Sequence, residues 1–122
     1  MDESGQLGPS AQASVVLDIG GDVGALILET GRDMHLVEIE LSRVDGGEPL
    51  PEDQRMHHHH HHGDVPHTHV AVRERRGPDG TQWAAIYPAL LEGDYTVHHP
   101  DGSTDAVTVT GGQVATLDWR GR

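Results

Sequence analysis

Leu36-Val37-Glu38-Ile39-Glu40-Leu41 alternates apolar and acidic residues, position by position, once past its first residue. Such alternation marks a half-buried β-strand, because successive side chains of an extended chain leave opposite faces. Val37, Ile39 and Leu41 are expected inside, with Glu38 and Glu40 in water. Working outward, Ala25-Leu26-Ile27-Leu28-Glu29 reads as a strand closed by Thr30-Gly31-Arg32-Asp33. Ser14-Val15-Val16-Leu17-Asp18-Ile19 reads as an earlier one closed by the turn Gly20-Gly21-Asp22. Downstream, residues 45–66 form a connection far longer than an ordinary hairpin loop, a length that usually signals function or disorder.

A strand resumes at His67, with Val70 and Val72 on one side and His69, Ala71, Arg73 and Arg75 on the other. Gly77-Pro78-Asp79-Gly80 supplies a turn, since proline presets one backbone angle and glycine tolerates the unusual ones. The next strand runs from Gln82 to Tyr87 with Trp83, Ala85 and Tyr87 buried, and Tyr95-Thr96-Val97-His98 follows. Ala106-Val107-Thr108-Val109-Thr110 and Val114-Ala115-Thr116-Leu117-Asp118-Trp119 are expected to pair as a terminal hairpin around Gly111-Gly112. Short strands at regular spacing and no helical period predict an all-β chain, a single antiparallel β-sandwich of seven to eight strands. Residues 1–12 read as a disordered arm and residues 13–122 as the domain carrying the long loop at 45–66.

Composition narrows the function. Twenty acidic residues against eight basic ones give a net charge of -12, and every basic residue is arginine. Nucleic acid and anionic membrane are disfavoured, because phosphate binding needs cationic patches. The chain has no cysteine, so disulfides and thiolate metal sites are excluded. No stretch reaches the ~20 apolar residues of a membrane helix. The first residues lack the positive start and apolar run of a signal peptide, so a cytoplasmic place is expected.

Tyr87-Pro88-Ala89-Leu90-Leu91-Glu92-Gly93-Asp94-Tyr95-Thr96-Val97, followed by Val107-Thr108-Val109-Thr110-Gly111-Gly112-Gln113-Val114, resembles prealbumin-like sandwiches. More narrowly, it resembles the Cna-B and carboxypeptidase-regulatory-like domains, and is similar to small proteins of high-GC bacteria. In those domains a Leu-x-x-Gly-x-Tyr corner precedes the last strands. The resemblance spans roughly residues 14–119 and implies a prealbumin/Ig-like fold while leaving function open, since such folds host many activities. The Lys and Asn of Cna-B isopeptide links have no counterparts, because the chain contains neither residue. The ending Trp119-Arg120-Gly121-Arg122 is similar to that of transthyretin-like hydroxyisourate hydrolases. No histidine precedes His35, however, so that family's N-terminal catalytic histidine is unmatched.

Chemistry concentrates at Met56-His57-His58-His59-His60-His61-His62-Gly63-Asp64-Val65-Pro66-His67-Thr68-His69. Neutral imidazole is a common ligand for divalent transition metals, and a short His-rich tract reads as metal-binding by composition. The expected ligands for Ni, Zn, Co or Cu are His57, His58, His59, His60, His61, His62, His67 and His69, with Asp64 as an oxygen donor. Binding should fail below pH ~6, where imidazole protonates. The tract has a second reading as an engineered tag, which Met56 favours and its internal position disfavours. The chain is then a protein-interaction module, or a homo-oligomer, and Arg73, Arg75 and Arg76 offer charge for an acidic partner. His98 and His99 are expected to face opposite ways as strand-end polar residues, and His35 is read as equally ordinary. No catalytic residue stands out: there is no nucleophile–base order and no phosphate loop, and Tyr87 and Tyr95 are better explained as core and corner residues. The expectation is a non-enzymatic protein, with a transthyretin-like hydrolase as the weakest alternative.

Overall fold

The computed structural model describes residues 17–52, 60–62 and 65–120, with residues 60–62 and 65 described by backbone alone. The expected arm at 1–12 and the Ser14-Val15-Val16 half of the first expected strand lie outside the described residues. Among the described residues the chain is all-β with no α-helix, its helical content in chain order beginning with a 3-10 turn at Arg32–Met34. The strands are β1 (Val23–Thr30), β2 (Glu38–Arg43), β3 (His60–His62), β4 (Val65–Ala71) and β5 (Arg73–Gly77), then β6 (Gly80–Leu91), β7 (Gly93–His98), β8 (Thr104–Val109) and β9 (Val114–Asp118). They form two sheets, ordered β9-β1-β6-β5 and β3-β4-β2-β7-β8.

Both sheets contribute to one core. Leu26, Leu28, Ala85, Tyr87 and Leu90 come from the first, and Ile39, Leu41, Tyr95, Val97 and Val109 from the second. Ile39 and Leu41 are fully buried, as their alternation with Glu38 and Glu40 predicts, each contributing about 1.5–3 kcal/mol. The alternation does not extend back to Leu36, which sits at φ 69 with its side chain 56 % exposed. The chain leaves the 3-10 turn there, and the Leu36 N–H donates to the Val72 carbonyl at 2.7 Å.

With no phenylalanine, the buried aromatic side chains of the core are Tyr87, Tyr95 and Trp119, and each buried hydroxyl requires an acceptor. The Tyr87 hydroxyl donates to the Ile39 carbonyl at 2.5 Å and so joins the two sheets. Tyr95 forms the corner that the Leu90-to-Tyr95 spacing predicts: its hydroxyl donates to the Leu91 carbonyl four residues back, at 2.5 Å. Arg43 Nη1 also reaches the Leu91 and Glu92 carbonyls, at 3.3 and 3.0 Å. Gly93 has φ +148, and a Cβ there would lie 2.6 Å from Arg43 Nη2, so only glycine leaves room for the guanidinium. Hydrogen bonds to Asp45 raise the Arg43 pKa and lower that of Asp45.

Four expectations change. Residues 17–19 are not a strand; only Gly20 bridges to Val23, across the turn. The strand expected to run unbroken from His67 to Arg75 divides at Val72, whose side chain is fully buried, so that β4 joins one sheet and β5 the other. β6 continues past Tyr87 to Leu91 through Pro88. Gly24 to Leu26 on β1 spans two steps where Tyr87 to Leu90 on β6 spans three, so Pro88 and Ala89 form a bulge. A bulge accepts a residue that has no N–H for the ladder.

The expected terminal hairpin does not form. β8 pairs antiparallel with β7, whereas β9 pairs with β1 in parallel, from Val114↔Ala25 to Asp118↔Glu29. The sheets are therefore not purely antiparallel, and residues 110–113 carry the chain from one to the other. Gly111 makes this crossing possible, since a Cβ there would lie 2.1 Å from the Gly21 carbonyl oxygen.

Candidate functional site

The long connection is not structureless throughout. β3 lies antiparallel against β4, with His60 opposite His67, His61 opposite Pro66 and His62 opposite Val65. The backbone of the histidine run thus folds back along the strand that carries His67 and His69. His57, His58 and His59, Asp64, and the side chains of His60, His61 and His62 lie outside the described residues.

On β2 Ile39 and Leu41 face the core, so Glu38, Glu40 and Ser42 belong to the opposite face of that sheet, where Ser42 is itself buried. The same alternation on β4 buries Thr68 and turns His67 and His69 to that face, and on β7 it buries Val97 and turns His98 there. Register makes these residues neighbours, since Glu40 stands opposite His69 on one side and His98 on the other.

The contacts run diagonally. His67 Nδ1 lies 3.1 Å from Glu40 Oε1, and His69 Nε2 lies 3.5 Å from Glu38 Oε1. His98 Nε2 meets Ser42 Oγ at 3.0 Å. The His67 and His98 rings stack, with centroids 5.6 Å apart and planes 20° apart. The His67 side chain is 13 % exposed and the Glu40 side chain 52 %, so the imidazole is the sheltered partner.

This arrangement disposes two imidazoles for ligation. A carboxylate beside one ring nitrogen fixes the tautomer and orientation, and puts the lone pair on the other nitrogen. Glu40 within hydrogen-bond distance of Nδ1 favours Nε2 of His67 as the ligating nitrogen, whereas Glu38 reaches His69 only at ion-pair distance. Among the described residues, no three side chains of His, Asp or Glu converge closely enough to hold a metal ion. His67 and His69 therefore supply at most part of a coordination sphere.

His99 points elsewhere, as adjacency predicts. Its Nδ1 accepts from the Asp101 N–H at 3.0 Å, and its ring lies 4.6 Å from that of Trp119. His35, after the 3-10 turn, lines a cavity with Arg32 and Trp83. Sequence reasoning had His67 and His69 but left out His98, Glu38, Glu40 and Ser42. The signal was present in the outward positions of three strands, but nothing local said that those strands are adjacent.

Among the described residues no helix is long and apolar enough to cross a membrane. In comparisons with known proteins, no family model, curated protein or solved structure matches the chain.

Proposed function

We propose that the chain is a non-enzymatic binder of a divalent transition metal (Ni, Zn, Co or Cu). In this reading a prealbumin-like β-sandwich of the Cna-B and carboxypeptidase-regulatory-like kind holds out a histidine-rich hairpin. Support for the architecture comes from the two sheets sharing one core and from the tyrosine corner at Leu91 and Tyr95.

The observation that carries the metal reading is the β3–β4 register, with His60 opposite His67. It brings the backbone of the tract beside His67, which Glu40 contacts, and along the strand that also carries His69. His67 and His69 are the strand-held ligands of the proposal, and the run from residue 57 to residue 62 completes the sphere. Such a site is adaptable in metal choice, and affinity should follow the general order in which copper binds best.

Calorimetric titration with NiCl₂ and ZnCl₂ tests this on the parent chain, on the His67→Ala/His69→Ala double variant, and on a chain lacking residues 57–62. Both altered chains should lose at least about tenfold in affinity, the equivalent of one ligand's worth of about 1.4 kcal/mol. If the double variant binds as the parent does, the tract acts alone as a flexible appendage. The strand ligands then have no role, and the reading as an interaction module with an engineered run takes its place.

A further inference from the structure

A second site, independent of the histidines, lies at the end of the first sheet where β1 stops and β6 begins. Trp83 stands there with Thr30 of β1 opposite it on one side and Glu74 of β5 on the other. It is half-buried, whereas the only other tryptophan, Trp119, is 3 % exposed and donates its indole N–H to Asp105 at 2.5 Å. Two cavities, of about 410 and 380 Å³, meet at this point and share Trp83, Arg32 and Thr81 as walls. Each falls within the roughly 300–1,000 Å³ of small-molecule sites. Together they form a groove across the indole.

The polar groups of the first cavity are uncommitted. Among the described residues, the side chains of Arg32, His35, Glu74, Thr81 and Trp83 have no hydrogen-bond or ion-pair partner. By contrast, Arg43 holds Asp45, and Arg120, on the wall of the second cavity, holds Asp118 at 2.9 Å and Glu29 at 3.6 Å. A guanidinium, a carboxylate, a hydroxyl and an indole around one space offer several donors, several acceptors and one apolar face.

Charge selects the ligand class. An anion would meet Glu74 in the first cavity and Glu29 and Asp79 in the second, within a chain of net charge -12. A cation would meet the uncompensated Arg32. A neutral polyol avoids both costs, because each hydroxyl accepts from the guanidinium and donates to the carboxylate in charge-assisted bonds. The C–H face of a sugar ring carries slight positive charge and suits the negative face of an indole. We propose that this groove binds a neutral carbohydrate, its ring on Trp83 and its hydroxyls between Arg32 and Glu74.

The test titrates glucose, galactose, maltose and cellobiose into the full chain. It follows the two indole N–H resonances by NMR, with inorganic phosphate and glutamate as charged controls. At least one sugar should shift the Trp83 resonance saturably and leave that of Trp119 in place. Arg32→Gln and Glu74→Gln should each weaken that binding at least about tenfold with an unchanged melting temperature, since each removes a bond to a charged group. Absence of saturable binding by all four sugars, or equal binding by the variants, overturns the proposal. So does phosphate or glutamate binding that Arg32→Gln abolishes, which makes the groove an anion site. None of these outcomes depends on metal.

Discussion

Tyr95→Phe removes one oxygen from the corner, and the structure sets what that costs. Tyr95 is fully buried, its hydroxyl donating to the Leu91 carbonyl at 2.5 Å with the Pro49 carbonyl at 3.2 Å. Neither acceptor is orphaned by the change. The Leu91 carbonyl keeps Arg43 Nη1 at 3.3 Å, and the Pro49 carbonyl keeps the Leu91 N–H at 2.9 Å. The loss is therefore that of a net hydrogen bond, about 1–1.5 kcal/mol, without the further penalty of an unsatisfied buried group. For a chain of this size that lowers the melting temperature by about 4–6 °C. The partner experiment introduces Arg43→Met first. Arg43 also donates to the Glu92 carbonyl at 3.0 Å, pairs with Asp45 and lies 5.5 Å from the Tyr95 ring centroid. In that background Tyr95→Phe strips the Leu91 carbonyl of both side-chain donors, and its cost should rise to about 2–3 kcal/mol. Urea denaturation followed by fluorescence and circular dichroism, with coincident transitions, measures all four chains. An equal or smaller cost in the Arg43→Met background would refute the reasoning, because the direct bond from Arg43 Nη1 to the Tyr95 hydroxyl, at 3.4 Å, would then outweigh the shared acceptor.

Burial pushes the Tyr95 hydroxyl from its ordinary value near 10 up to about 12, and pushes Tyr87 upward too, with Glu40 adding to the shift. Both are neutral in the folded chain, so their contribution is complete below pH 10 and is lost as pH rises from 10 towards 12. Denaturant midpoints should fall over that window, and less steeply in Tyr95→Phe. Leu36→Asn should raise stability by about 0.5–1 kcal/mol in thermal melts, because asparagine tolerates the left-handed backbone that leucine occupies at a cost. Gly111→Ala should lower stability by at least about 2 kcal/mol, since its methyl group meets backbone rather than a side chain that can turn away. A melt indistinguishable from the parent would mean that the crossing from β8 to β9 does not run as closely as described.

What could be read in advance was whatever a few adjacent residues decide. Ile39 and Leu41 declared their face by alternation, Pro78-Asp79 declared a hairpin, and the Leu90-to-Tyr95 spacing declared a corner. Gly111-Gly112 declared a hairpin equally well, and wrongly. Two strands joined by a short glycine turn look the same whether they pair with each other or depart to different sheets. The destination of β9 is settled by β1, almost ninety residues earlier in the chain (Val114 against Ala25), and no local pattern records that. Val72 misled for a related reason. Its apolar side chain continues the alternation of β4, yet the residue marks the point where the chain changes sheets. The candidate site shares this limit: Glu40, His67 and His98 were each legible as outward-facing, but their adjacency depends on strand order.

Strand order also connects the core to that face. The Tyr87 hydroxyl of one sheet binds the carbonyl of Ile39 in the other, and the next residue along β2 is Glu40, whose carboxylate holds His67. A chain without phenylalanine thus carries part of its aromatic bulk on tyrosines whose hydroxyls must be satisfied, and the acceptor Tyr87 uses is backbone of the strand beneath the imidazoles. That bond ties β2 to the other sheet one residue before Glu40, beside the position where Glu40 contacts His67 and Ser42 contacts His98. The open face is held by the buried one, so a loss of order at Ile39 would reach the imidazoles through backbone, without altering a single side chain on the outer surface.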